Sequence, residues 1–169
     1  MEHKNLYFSD NFFSTGKKDI FTKDKEIVGE LNMKSAFTST IDILDIKGNH
    51  LINGKFPLFS NRWTITNQKQ EELGFLRSRF SFFAKKYEYT AQDRGIYKIE
   101  TEVMFNKYEI VDQTGSRIGQ FSIIKNFFMA PAYELIQFKE DLEINEMIAI
   151  ITGINAIQKR SHSASKTTV

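Results

Sequence analysis

The chain has 169 residues, a length that suits one domain, and its 41% hydrophobic and 26% charged residues are in the balance of a globular protein rather than a disordered segment. A formal charge of +2 gives no polyanion signal over the whole chain, so nucleic acid is not an expected partner and any basic surface must be local. With no Cys, the chain is without disulfides, thiolate metal sites and thiol nucleophiles.

Sixteen Phe and six Tyr beside two Pro favour strands. The N-terminal "KNLYFSD" is read as native sequence. It has no basic stretch followed by an apolar run, and the expected location is the cytoplasm, with peripheral contact at the inner membrane surface.

The sequence then repeats itself at an offset of 45 residues, aligning "IFTKDKEIVGELNMKSAF", "ITNQKQEELGFLRSRFSF" and "IVDQTGSRIGQFSIIKNF". Ile20, Ile65 and Ile110 coincide, as do Gly29, Gly74 and Gly119, and Phe37, Phe82 and Phe127. Val28, Leu73 and Ile118 precede the glycines; Leu31, Leu76 and Phe121 follow two residues later. Each copy reads as strand, polar turn and second strand, with a period-2 pattern that puts successive side chains on opposite faces. The predicted inner faces are Gly29, Leu31, Met33; Gly74, Leu76, Ser78; and Gly119, Phe121, Ile123. A glycine at that place allows close backbone approach or the bend of a curving wall.

Two further hairpins lie between the repeats. "TIDILDIKGNHLING" turns at Lys47, Gly48 and Asn49, and "YEYTAQDRGIYKIETEV" turns at Asp93, Arg94 and Gly95. In the second of these, Tyr97, Ile99, Thr101 and Val103 alternate with Lys98, Glu100 and Glu102, as in a strand with one wet face. Four strands per repeat predict eleven or twelve strands before residue 138, and a meander that long removes its exposed edges by closing. The expected fold is mainly β: a closed antiparallel barrel of about twelve strands around a buried hydrophobic C-terminal helix.

That helix is predicted near 142–158. It would be roughly 25 Å long at 1.5 Å per residue, short of the ~20 apolar residues of a transmembrane helix. Met147, Ile148, Ala149, Ile150, Ile151, Ile154, Ala156 and Ile157 cover all its sides, as in a helix buried all round. It fills the void that wall side chains of a twelve-stranded barrel leave. Residues 161–169, "SHSASKTTV", read as a flexible tail.

The phrases "YEIVDQTGSRIGQFSII" and "IDILDIKGNHLING", with the strand and apolar helix of "APAYELIQFKEDLEINEMIAIITGINAI", resemble the tubby C-terminal-like superfamily. Within it the likeness is to small LURP-one-related proteins, which are themselves similar to the phospholipid scramblase barrel. It spans roughly 6–160 and departs at "GINAIQKR", where relatives commonly carry an acidic residue after the apolar run.

Chemistry has little purchase. His3, His50 and His162 are not spaced like ligands on one element, and no nucleophile elbow, phosphate loop or zinc motif occurs. The expectation is a non-enzymatic protein with no cofactor and no metal. The connections "MKSAFTS", "RSRFSFFAKKY" and "IKNFFMAPAY" each mix Lys or Arg with Phe, and repeat symmetry places them on one rim. Arg77, Arg79, Lys85 and Lys86 form the richest group and are the candidate ligand-binding residues. Guanidinium forks and ammonium charges suit phosphate oxygens, and aromatics suit the headgroup boundary. Tubby-like domains bind phosphoinositides through basic barrel residues, so the resemblance implies an anionic lipid or a phosphorylated ligand. The alternative is a protein-interaction scaffold using the "KRSHSASKTTV" tail.

Overall fold

The structure, a computed structural model, describes residues 4–34, 39–79, 86–102, 107–127 and 129–166. Its strands are β1 (Asn5–Ser9), β2 (Gly16–Phe21), β3 (Ile27–Met33), β4 (Ile41–Asp45), β5 (His50–Lys55) and β6 (Trp63–Asn67). There follow β7 (Glu72–Arg79), β8 (Lys86–Ala91), β9 (Gly95–Glu102), β10 (Lys107–Val111), β11 (Arg117–Ile124), β12 (Ala132–Gln137) and the helix α1 (Ile144–Lys166). Each strand pairs antiparallel with its sequence neighbour, and β1 pairs with β12 from Asn5↔Ile136 to Ser9↔Ala132, closing the barrel.

The 45-residue period is a period of pairing. Ile20 faces Gly29, Ile65 faces Gly74 and Ile110 faces Gly119, and the ladder slips by a bulge just after each of these isoleucines. A bulge adds local twist and bend, so the same curvature recurs at the same place in β2–β3, β6–β7 and β10–β11. The glycines face inward as expected. A Cβ on Gly74 would lie 2.4 Å from the Thr90 carbonyl oxygen and 2.6 Å from Tyr89 Oη, a volume the tyrosine already occupies. Inward alternation also holds along β9, where Tyr97 and Ile99 are buried and Lys98, Glu100 and Glu102 exposed. Ser78 and Ile123 depart from it: both are exposed, because β7 and β11 rise past the top of the core.

From Ile144 to Ile154 the helix is buried on all sides and lies inside the barrel. It sits nearest β4–β7. The opposite half is filled by rings, with Phe121 stacked on Tyr133 at 5.0 Å and Phe12 at 4.8 Å from both Phe8 and Phe121. The helix also runs past the expected end at Gln158, and residues 161–166 continue it rather than forming a tail. No Gly or Pro interrupts that stretch, and Ser161, His162 and Ser163 bond back to the carbonyls of Gln158 and Lys159. No helix among the described residues is long and apolar enough to cross a membrane.

The tight turns are locked by their own side chains. In the β10–β11 turn, Asp112 Oδ1 accepts from the backbone N–H of Thr114 and Ser116 and from the Thr114 hydroxyl, while Lys139 lies 3.3 Å from Oδ2. The Thr114 bond foremost, then the Ser116 and Thr114 amides and Lys139, outweigh desolvation and bring the Asp112 carboxyl down to about 2. Unfolded Asp titrates near 3.9, so this carboxylate contributes stability above about pH 4 that is lost as pH falls through about 2. Asp112→Asn is therefore expected to flatten the acid limb of stability in that window, read as thermal midpoint against pH. An unchanged acid limb would remove the turn as its source.

Candidate functional site at the barrel mouth

In an up-and-down barrel alternate connections share an end. The helix enters at the end carrying the β8–β9 and β10–β11 turns, here the floor, and emerges at the other, the mouth. Among the described residues, the connections at the mouth, 10–15, 34, 39–40, 56–62, 125–127 and 129–131, hold five of ten Phe and one acidic residue, Asp10. Those at the floor, including 138–143, hold one Phe and eight Asp or Glu. The rim expected from repeat symmetry is thus one end of the barrel. Of its three expected segments, residues 35–38, 80–85 and 128 lie outside the described residues, and Lys85, Phe80, Phe82 and Phe83 are among them.

Part of this aromatic content is packed away. Phe12 is fully buried inside the mouth, and Phe127 stacks at 4.2 Å on Tyr7, on the outer face of β1. Other apolar side chains of the mouth point out: Leu58 is 85% exposed, Phe59 98% and Met129 96%, the three most exposed large apolar side chains among the described residues. By strand order the 56–62 and 125–131 connections stand on opposite sides of the mouth.

Of the sequence-predicted residues, Arg77 and Arg79 share the outer face of β7 as expected, but both reach the same carboxylate. Arg77 Nη2 lies 2.8 Å from Glu88 Oε1, and Arg79 Nε and Nη2 lie 2.9 and 2.8 Å from Oε2. Burial of Glu88 would raise its carboxyl, yet the two guanidinium groups outweigh this and hold it below the ordinary carboxylate range. The trio carries a net single positive charge. Lys86, paired with Arg79 across the ladder, is exposed.

Other cations, not singled out for binding from the sequence, belong to the mouth, and Lys55, Lys159 and Arg160 line one cleft with Leu58 and Phe59. Lys55, Arg62, Lys125, Lys159 and Arg160 are exposed, with no carboxylate within ion-pair distance among the described residues. Lys159 Nζ donates to Phe13 O at 3.3 Å and Arg160 Nη1 to Ser60 O at 2.8 Å. Buried Lys18 adds a cation just inside, donating to the Ser14 and Gly16 carbonyls; desolvation first, then Lys159, lower its pKa. Lys55, Lys159 and Arg160 border a cleft of about 530 Å³ between the 56–62 connection and the helix, and its lining includes no acidic residue. The signal in the sequence was the end of the helix, "IQKR", which only the topology brings beside "KFPLFSNR".

At the floor, Glu146 is 1% exposed inside the barrel. Arg94 spans both its oxygens, Nη1 to Oε2 at 2.7 Å and Nη2 to Oε1 at 2.8 Å, and the Tyr89 hydroxyl donates to Oε1. Arg94 also bonds Leu73 O at 3.0 Å. Burial first, and then the Glu146 charge, push the Tyr89 phenol far up, so it keeps its proton and acts as donor. The Glu146 bond likewise holds Arg94 more firmly protonated than usual. With every atom of the carboxylate committed, this is an anchor for the helix rather than a reactive group. Among the described residues no three His, Cys, Asp or Glu side chains converge as metal ligands, and His50 stands beside Asp42 at 3.6 Å on the wall.

The fold has a counterpart among solved structures. The chain is similar to the X-ray structure of an Arabidopsis thaliana protein, AT5G01750, with a TM-score of 0.60 at 9% identity over 89% of this chain and 90% of that one. At that identity the likeness concerns the fold alone: a closed twelve-stranded antiparallel barrel with a C-terminal helix. No protein-family model matches the chain, and no curated protein matches it.

Proposed function

We propose that this protein is a non-enzymatic barrel of the tubby-like, LURP-one-related kind that binds anionic phospholipid surfaces with its mouth. The observation that carries the reading is the polarity between the two ends. Exposed Leu58, Phe59 and Met129 stand at the mouth among Lys55, Arg62, Lys125, Lys159 and Arg160, while the floor holds the carboxylates. Basic side chains near an anionic leaflet contribute about 1 kcal/mol each, and apolar side chains at the headgroup boundary supply the second anchor that charge alone lacks. The outer wall fits such peripheral contact: Glu30, Asn32, Lys98, Glu100 and Gln120 face outward, the reverse of the apolar band of a membrane-spanning barrel.

Arg77, Arg79 and Lys86 join this surface, with Arg77 and Arg79 contributing less because Glu88 neutralises half their charge; Lys85, of the same candidate group, lies outside the described residues. The test is co-sedimentation with anionic and neutral vesicles at low and physiological salt. Binding is expected to the anionic vesicles alone and to weaken with salt. The triple substitution Lys55→Gln, Lys125→Gln, Lys159→Gln is expected to reduce it by about a hundredfold, at roughly 1 kcal/mol per charge. Equal sedimentation of the triple variant would overturn the reading. No sedimentation at either salt would move the protein to the other class, a protein-interaction scaffold.

A further inference from the structure

Resting on that reading, we infer that the Pro57–Ser60 turn is a braced wedge that enters the acyl boundary of an anionic bilayer. The turn is closed by Ser60 N–H donating to Pro57 O at 3.0 Å, and its third position, Phe59, is held at φ +60°. A turn that demands positive φ at this place normally takes glycine, because a Cβ is strained there. Here it carries a phenylalanine that is 98% exposed, beside a leucine that is 85% exposed. Neither side chain gains packing within the barrel, so the strained backbone serves only to hold two large apolar groups outward.

The turn is braced from the core. Arg160 at the emerging end of the helix donates to Ser60 O at 2.8 Å, and its guanidinium lies 4.6 Å over the Phe56 ring. Phe56 in turn packs edge-on against buried Trp63 at 5.3 Å. Arg160 thus pins the turn at both ends, at Phe56 and at Ser60.

Charge identifies the occupant. The cleft beside the turn is lined by Lys55, Lys159 and Arg160 together with Leu58 and Phe59 and by no carboxylate, so cations and an exposed apolar tip share one surface. That pairing suits a bilayer of anionic lipid, with phosphates for the cations and acyl chains for Leu58 and Phe59. Across the mouth Met129, 96% exposed and also at positive φ, +61°, gives a second apolar point of contact.

The experiment uses Phe59→Trp as a reporter. The native Trp63 is fully buried, so its emission is that of a shielded indole before and after binding. With vesicles of mixed phosphatidylglycerol and phosphatidylcholine, the indole at position 59 is expected to shift to the blue and to be quenched by lipids brominated in the acyl chain. With phosphatidylcholine alone it is expected to do neither. Leu58→Ser with Phe59→Ser should weaken partitioning about tenfold or more, with the thermal midpoint unchanged or raised. Arg160→Lys, which keeps the charge and loses the fork, should sediment normally at low salt while its Phe59→Trp version is quenched less. Sedimentation without a shift or quenching would overturn the wedge and leave the electrostatic reading standing. No sedimentation at all would overturn both.

Discussion

Arg94→Ala is expected to destabilise the barrel by about 3 kcal/mol or more, read from urea denaturation, because it leaves the Glu146 carboxylate buried without its cation. Glu146 is 1% exposed, and two of its three contacts, at 2.7 and 2.8 Å, come from this one guanidinium. Tyr89 alone cannot compensate a charge in the interior. The cost belongs to the orphaned charge rather than to the pair, and this gives the prediction its second half. Replacing both partners, Arg94→Met with Glu146→Leu, should recover most of the loss, since a well-packed apolar pair is often as stable as a buried ion pair. Additive losses in the double variant would contradict this account.

Gly153→Ala is expected to destabilise by about 2 kcal/mol or more, a sign opposite to that of the same change on an exposed helix, where Ala is better by about 1 kcal/mol. A Cβ at position 153 would lie 2.5 Å from Trp63 Cδ1 and 2.6 Å from Nε1. The indole has nowhere to go. Its Nε1–H donates to Ala149 O at 3.1 Å, one helical turn earlier, and Phe56 packs against it in a T-shaped contact at 5.3 Å. Helix and wall therefore meet through a hydrogen bond at 149 and an empty space at 153, and filling the space breaks the bond. In a Trp63→Leu background the glycine loses its reason, and Gly153→Ala should become neutral or stabilising. If Gly153→Ala raises the thermal midpoint of the native sequence, the Trp63 contact is not what holds the helix in register.

Both predictions concern contacts that the chain order does not announce. "GINAIQKR" reads as a weakness in the helix, because glycine and asparagine are poor helix formers. In the fold Gly153 is where the indole of β6 fits. Likewise Glu146 stands in the first turn of the helix, and only closure of the barrel brings the β8–β9 turn with Arg94 beneath it.

The sequence by itself determined the barrel, its eleven or twelve strands, the inward alternation and the greasy helix inside, because these follow from local periodicity and from the 45-residue repeat, whose matched Ile and Gly the structure pairs. It also placed the basic-aromatic connections on one rim, since alternate connections of a meander share an end. Tertiary structure alone decided which charges are spoken for. Arg77 and Arg79 point outward as the alternation requires, but Glu88 on the next strand claims both, while Arg160 meets Phe56 and Ser60 across about a hundred residues of chain. Electrostatic pairing depends on distances of a few ångströms between strands. The period of a strand gives the face of a side chain, and the fold gives its neighbour.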